Sequence, residues 1–122
     1  LDEDGEKELA VLSPFHGDCI SIYKRENGVF VKVYQYEESA QFVHSIYGGM
    51  LCGIPQVVVG HRGGKRNLIA FSYDTEKGLY RSELVDEDCG SANVYHYVKD
   101  GKDVIISANR EIDEVAMYTL EP

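Results

Sequence analysis

The sequence predicts an all-β chain, a partial β-propeller of about two and a half four-stranded antiparallel blades. Three observations predict it. One strand–turn–strand pattern recurs three times, with the small residues Ser13, Gly60 and Ser107 spaced 47 apart. The runs Val57 to Val59 and Val104 to Ile106 are continuous and β-branched, which suits strands buried on both faces. No segment carries a sustained 3.6-residue apolar period with caps, so no helix is expected.

The elements follow in order. The first copy of the pattern runs Leu9 to Leu12, a turn Ser13 to Asp18, then Ile20 to Tyr23. A turn at Glu26-Asn27-Gly28 leads into the alternating strand Val29 to Tyr34, and Gln41 to Ile46 makes a fourth strand. The second copy runs Val57 to Gly60, a turn His61 to Arg66, and Leu68 to Phe71. Leu79 to Leu84 and Ala92 to Tyr97 complete that unit. The third copy has only its first half, Val104 to Ser107, a turn Ala108 to Asp113, and Val115 to Tyr118. The predicted blades are therefore 2–46 and 53–97, with a half blade at 100–120, in one domain. The non-alternating strands at 9–12, 57–60 and 104–107 are expected to be the inner ones, around a central channel.

Composition narrows the function classes. A chain of 122 residues, 43% hydrophobic and 27% charged, has the makeup of a soluble globular domain. Twelve basic against 21 acidic residues give a net charge of -9. Nucleic acid is excluded as the main partner, because phosphate binding needs a basic face. No stretch approaches the roughly 18 apolar residues of a membrane span. The chain begins Leu1-Asp2-Glu3-Asp4 without Met or signal peptide, which reads as an excised fragment or a processed product. Cys19, Cys52 and Cys89 form no C-x-x-C pair; three buried thiols in a reducing, cytoplasmic compartment are the expectation. A known propeller closes with at least four blades, so self-association or a longer parent chain is expected as well.

The repeats resemble FG-GAP/VCBS-type β-propeller repeats, in which an acidic D-x-D-G turn leads into an inner strand. The residues that carry the resemblance are Asp2-Glu3-Asp4-Gly5 before Leu9 and Asp100-Gly101-Lys102-Asp103 before Val104, while Gly53-Ile54-Pro55-Gln56 has lost its acids. The resemblance covers nearly the whole chain. It implies a calcium loop at the acidic turn, where Asp2, Asp4 and Glu8 would offer carboxylate oxygens to a hard cation. The competing reading is a solvated acidic turn.

The turns between first and second strands are rich in functional groups. His16 follows Phe15 in the first; His61 and Arg62 open the second; Asn109, Arg110 and Glu111 open the third. Plain strand turns need only Gly, Asn, Asp or Ser. Equivalent strand ends converge in a propeller, so His16, Arg62 and Arg110 are expected at one channel mouth, with His61 and Asn109 beside them. Arginine forks hold carboxylate or phosphate, and histidine moves a proton near neutral pH. The expected function is a mouth for a small anionic or carbohydrate ligand, bound by Arg62, Asn109 and Arg110. His16 and His61 would be acid/base groups in the sugar-active lyase or epimerase that the resemblance implies. The alternative is a non-catalytic scaffold for protein partners, in which Arg110 merely pairs with Glu111 or Asp113. The run Gly60 to Lys65 is not a phosphate loop, since a strand and not a helix follows it. His44 and His96, at non-equivalent repeat positions, are expected to be packed or exposed strand histidines.

Overall fold

A computed structural model describes residues 1–13 and 18–121. His16, expected at the mouth, and Phe15 before it lie outside them. The described residues form ten strands: β1 (Glu8–Ser13), β2 (Cys19–Glu26), β3 (Val29–Gln35), β4 (Val43–Leu51), β5 (Ile54–His61), β6 (Leu68–Asp74), β7 (Leu79–Asp86), β8 (Ser91–Lys99), β9 (Lys102–Asn109) and β10 (Glu114–Leu120). Among the described residues the sole helical element is one 3-10 turn, Arg110–Ile112. The strands form three antiparallel sheets, ordered β1-β2-β3, β4-β5-β6-β7 and β8-β9-β10.

The grouping differs from the sequence expectation. The strand after β3 was expected to close the first unit, yet β4 pairs with β5, and β8 pairs with β9. The cause is local. Cys52-Gly53 and Asp100-Gly101 take positive φ at both positions, 54° and 79° in one and 53° and 76° in the other. That conformation makes a two-residue hairpin whose twist matches the strands it joins. A loop that short leaves its flanking strands no choice but to pair. Asn27-Gly28 joins β2 to β3 in the same way, with φ of 52° and 79°. Asp100-Gly101 is thus the hairpin turn that joins β8 to β9.

Pairing also corrects the repeat register. Leu9 faces Tyr23, Val57 faces Phe71 and Ile105 faces Tyr118. The first members of these pairs are 48 residues apart, so β1, β5 and β9 are equivalent, and Ser13, His61 and Asn109 occupy one repeat position. On this register β4 and β8 open their sheets, one strand before those expected to be innermost.

The middle sheet is covered on both faces, which is why its central strands do not alternate. Val59, Ile69 and Phe71 pack with Ile20, Tyr36, Ala40 and Val43 towards the first sheet. Val58, Leu68 and Ala70 pack with Leu51, Cys89 and Ile105 towards the third. Phe71 is 1% exposed and meets Tyr36 edge-on at 5.4 Å. Burying one such side chain contributes about 1.5–3 kcal/mol. A bulge in β4 between Val43 and Ser45 switches the strand's faces. It leaves Val43 in the first core and turns Ser45, Tyr47 and Leu51 towards the third sheet.

Candidate functional site

The chemistry-bearing side chains gather where the second and third sheets meet. β8 carries a bulge between Ser91 and Asn93, at the repeat position of the bulge in β4. The two extra residues meet: His44 Nδ1 lies 2.7 Å from the Ala92 carbonyl. Gly60 permits this approach, because a Cβ there would stand 2.5 Å from both Ser45 Oγ and Ser91 Cβ.

A buried chain of hydroxyls starts at this contact. Ser45 and Ser91 share a hydrogen bond of 3.0 Å, and Ser91 and Ser107 one of 2.8 Å. Ser107 donates to Asn109 Oδ1 at 2.6 Å, so its single proton is spent there and Ser91 must be the donor to Ser107. Asn109 Nδ2 donates to Glu114 at 3.0 Å and to the Tyr118 oxygen at 3.1 Å; Tyr118 donates to Asp86 at 2.6 Å. Burial and the Asp86 carboxylate raise the Tyr118 pKa, which keeps its proton in place. Asn109, expected to contact a ligand, is 0% exposed, and its amide is committed inside the fold.

His61 is equally committed. Its Nδ1–H donates to the Gly63 carbonyl at 2.9 Å and the Gln41 carbonyl at 3.2 Å, and Nε2 accepts the Asn67 N–H at 3.0 Å. Burial pushes its pKa down from 6.5, so the ring is neutral. With 1% exposure and both nitrogens engaged, His61 shapes the β5–β6 loop and does not meet the requirements of an acid/base group.

The next residue turns outward. Arg62 lies 4.5 Å over the Phe42 ring and donates from Nε to Glu111 Oε1 at 2.8 Å. Arg110 Nη1 approaches the same oxygen at 3.7 Å from the β9–β10 turn. Arg62 and Arg110, expected together, therefore meet across one carboxylate. Arg62 is largely covered, while the Arg110 side chain is 65% exposed. Chiefly through the Arg62 hydrogen bond, Glu111 is held below the usual carboxylate pKa. Gly90 makes room for it: a Cβ there would stand 2.5 Å from Glu111 Cβ.

Sequence reasoning missed a second linkage. His96 Nε2 donates to Asp103 Oδ1 at 2.7 Å, and the Tyr47 hydroxyl donates to His96 Nδ1 at 2.8 Å. Asp103 Oδ2 accepts the Cys52 N–H at 2.9 Å. That bond, with His96, lowers the Asp103 pKa. The three side chains form one hydrogen-bonded row, carboxylate–imidazole–hydroxyl, from β9 through β8 to β4. The only signal in the sequence would have been the β4–β8 pairing of faces, which depends on two bulges.

The acidic turn holds a lysine. The Lys24 ammonium bonds Asp2 at 2.5 Å and also Asp4, while Glu8 accepts the Tyr80 hydroxyl at 2.6 Å. Glu8 is thus engaged by another partner, and a side-chain cation already stands where calcium was expected. Among the described residues no three His, Cys, Asp or Glu side chains form a group that could hold a metal ion. Cys19, Cys52 and Cys89 are free thiols. No helix among the described residues is long and apolar enough to cross a membrane. No protein-family model, curated protein or solved structure matches the chain.

Proposed function

We propose that the chain is a segment of a β-propeller whose loop end binds a small anionic or carbohydrate ligand at Arg62 and Arg110. The propeller reading is supported by three successive meander sheets in a 48-residue register and by the direct packing of β4 on β8, the opening strands of two sheets. It is also supported by the free edges of β1 and β10, since the repeat leaves the first sheet without an opening strand and the third without a closing one. A fourth strand on each, from a longer chain or another copy, would complete them.

One observation carries the ligand reading: two guanidinium groups from successive sheets converge on Glu111 Oε1, at 2.8 and 3.7 Å. Glu111 occupies the arginine fork as the carboxylate of a ligand would. An incoming acid would displace it and gain both cations. Asn109 and His61, buried and with their polar groups engaged within the fold, are not assigned to the ligand. The test is titration of the intact chain with galacturonate and glucose 6-phosphate. Arg110→Ala, at an exposed position, is expected to weaken binding about tenfold, in line with a charge-assisted pair. Undiminished binding in Arg110→Ala and Arg62→Ala would refute the site.

The scaffold reading has its own support. Val29, Phe30 and Val31, on the free edge strand β3, are 63%, 52% and 40% exposed, which suits a protein contact. Substituting all three with Thr distinguishes the readings, because it would abolish a protein contact and leave the arginine site intact.

A further inference from the structure

Each sheet has two unlike faces, and the repeat register matches them from sheet to sheet. Side chains alternate along a strand, and residues paired across strands share a face. Ile20 packs in the core between the first and second sheets, and Ile22, two residues on, shares its face; both are buried. Leu68 and Ala70 hold those positions in the second sheet and are buried against the third. In the third sheet the same positions belong to Val115 and Met117, which are 74% and 61% exposed. Ile106, paired with Met117, stands where the buried Val58 stands in the second sheet. A sheet face meant for water carries polar residues, and this one does not.

The reverse faces repeat as well. Ile105 and Tyr118 of the third sheet pack on the second, and Val57 and Phe71 of the second pack on the first. Leu9 and Tyr23, paired across β1 and β2, are their counterparts in the first sheet. Leu9 is 47% exposed and Tyr23 half-buried. The chain thus carries both halves of an interface that it already makes twice, one half on its first sheet and the other on its third.

We infer that the third-sheet face of Ile106, Val115 and Met117 docks on the first-sheet face of Leu9 and Tyr23 in a second copy of this chain. The inference rests on the propeller reading and is independent of the arginine site. The contact between Ala70 and Ile105 in the core of the second and third sheets gives its pattern, with Met117 in the place of Ala70 and Leu9 in that of Ile105. Closure sets the number of copies. Two chains that meet in this way make two identical contacts about a twofold axis and bring six sheets together, three from each. Propellers close with roughly four to eight blades, so one copy has too few sheets and three copies too many.

The experiment is sedimentation velocity of the full chain, of Leu9→Lys and of Met117→Glu, with a dispersed NMR spectrum certifying the fold of each. The parent chain is expected to be a dimer at micromolar concentration. Each variant places a charge in both contacts and is expected to raise the dimer dissociation constant about a hundredfold. The two variants mixed in equal amounts are expected to recover the dimer. One contact of the mixed pair joins two unaltered faces, and the other sets a lysine against a glutamate. A parent chain that stays monomeric at every concentration would overturn the inference and leave the propeller reading standing, with further sheets supplied by a longer chain. A dimer that neither variant weakens would overturn the inference in the same way. A dimer that Met117→Glu breaks and Leu9→Lys does not, or one that mixing fails to restore, would show that the unlike faces do not meet and would overturn both.

Discussion

Gly60 of β5 lies against Ser91 of β8 so closely that a Cβ on the glycine would stand 2.5 Å from the serine Cβ. The φ at Gly60 is not positive, so the requirement is one of space and not of backbone conformation. Gly60→Ala is expected to destabilise the fold by roughly 1–3 kcal/mol, the usual cost of overpacking. Urea denaturation measures it. Ser91→Gly added to Gly60→Ala should recover part of the loss, and additive losses would contradict the contact.

Asn109 joins Ser107, Glu114 and Tyr118 through three hydrogen bonds of 2.6 to 3.1 Å while 0% exposed. Asn109→Ala strands buried partners and is expected to cost about 1–3 kcal/mol. Tyr118→Phe should cost less, because it removes one bond to Asn109 and one to Asp86 without opening a cavity. Equilibrium unfolding of both variants checks the order.

His61 links the fold to pH. Its folded pKa lies below the ordinary 6.5 through burial, so the unfolded chain takes up the proton first as pH falls. The contribution of His61 to stability is therefore complete above 6.5 and is lost as pH drops through the folded pKa. His61→Gln is expected to flatten the acid side of the stability profile between pH 6.5 and that folded value. An unchanged slope would show that the ring is not buried neutral.

Asp103 acts in the same direction at lower pH. Its pKa is held below 3.8 by the Cys52 N–H and then by His96. Its stabilisation is present above 3.8 and lost as pH falls through the folded value. Asp103→Asn is expected to free the Tyr47–His96 contact and broaden the His96 ring signals in an NMR spectrum. Sharp, unshifted signals would contradict the linkage.

Much of the strand content was legible because it rests on local chemistry. Val57 to Val59 lacks alternation since Val58 faces one core and Val59 the other. Asn27-Gly28 announces its hairpin. Cys52-Gly53 does not, because cysteine is no usual left-handed residue, and the grouping of β4 with β5 was lost with it. Arg62 and Arg110 were placed by repeat position alone, which the 48-residue register keeps nearly intact. The roles of His61 and Asn109 were not legible: both look like surface turn residues, and only the docking of Gln41, Asn67, Glu114 and Tyr118 encloses them. Tyr47, His96 and Asp103 meet through bulges that no periodicity announces.

The central claim is that Glu111 holds the place of a ligand carboxylate between Arg62 and Arg110. The direct measurement is the NMR titration of the arginine Nε–H signals with galacturonate, in the parent chain and in Glu111→Gln. The account predicts that the Arg62 and Arg110 signals shift together in one saturable step and that Glu111→Gln binds galacturonate several-fold more tightly, since the competing carboxylate is gone. Arginine signals that stay fixed in both chains, or an affinity that Glu111→Gln leaves unchanged, would contradict it.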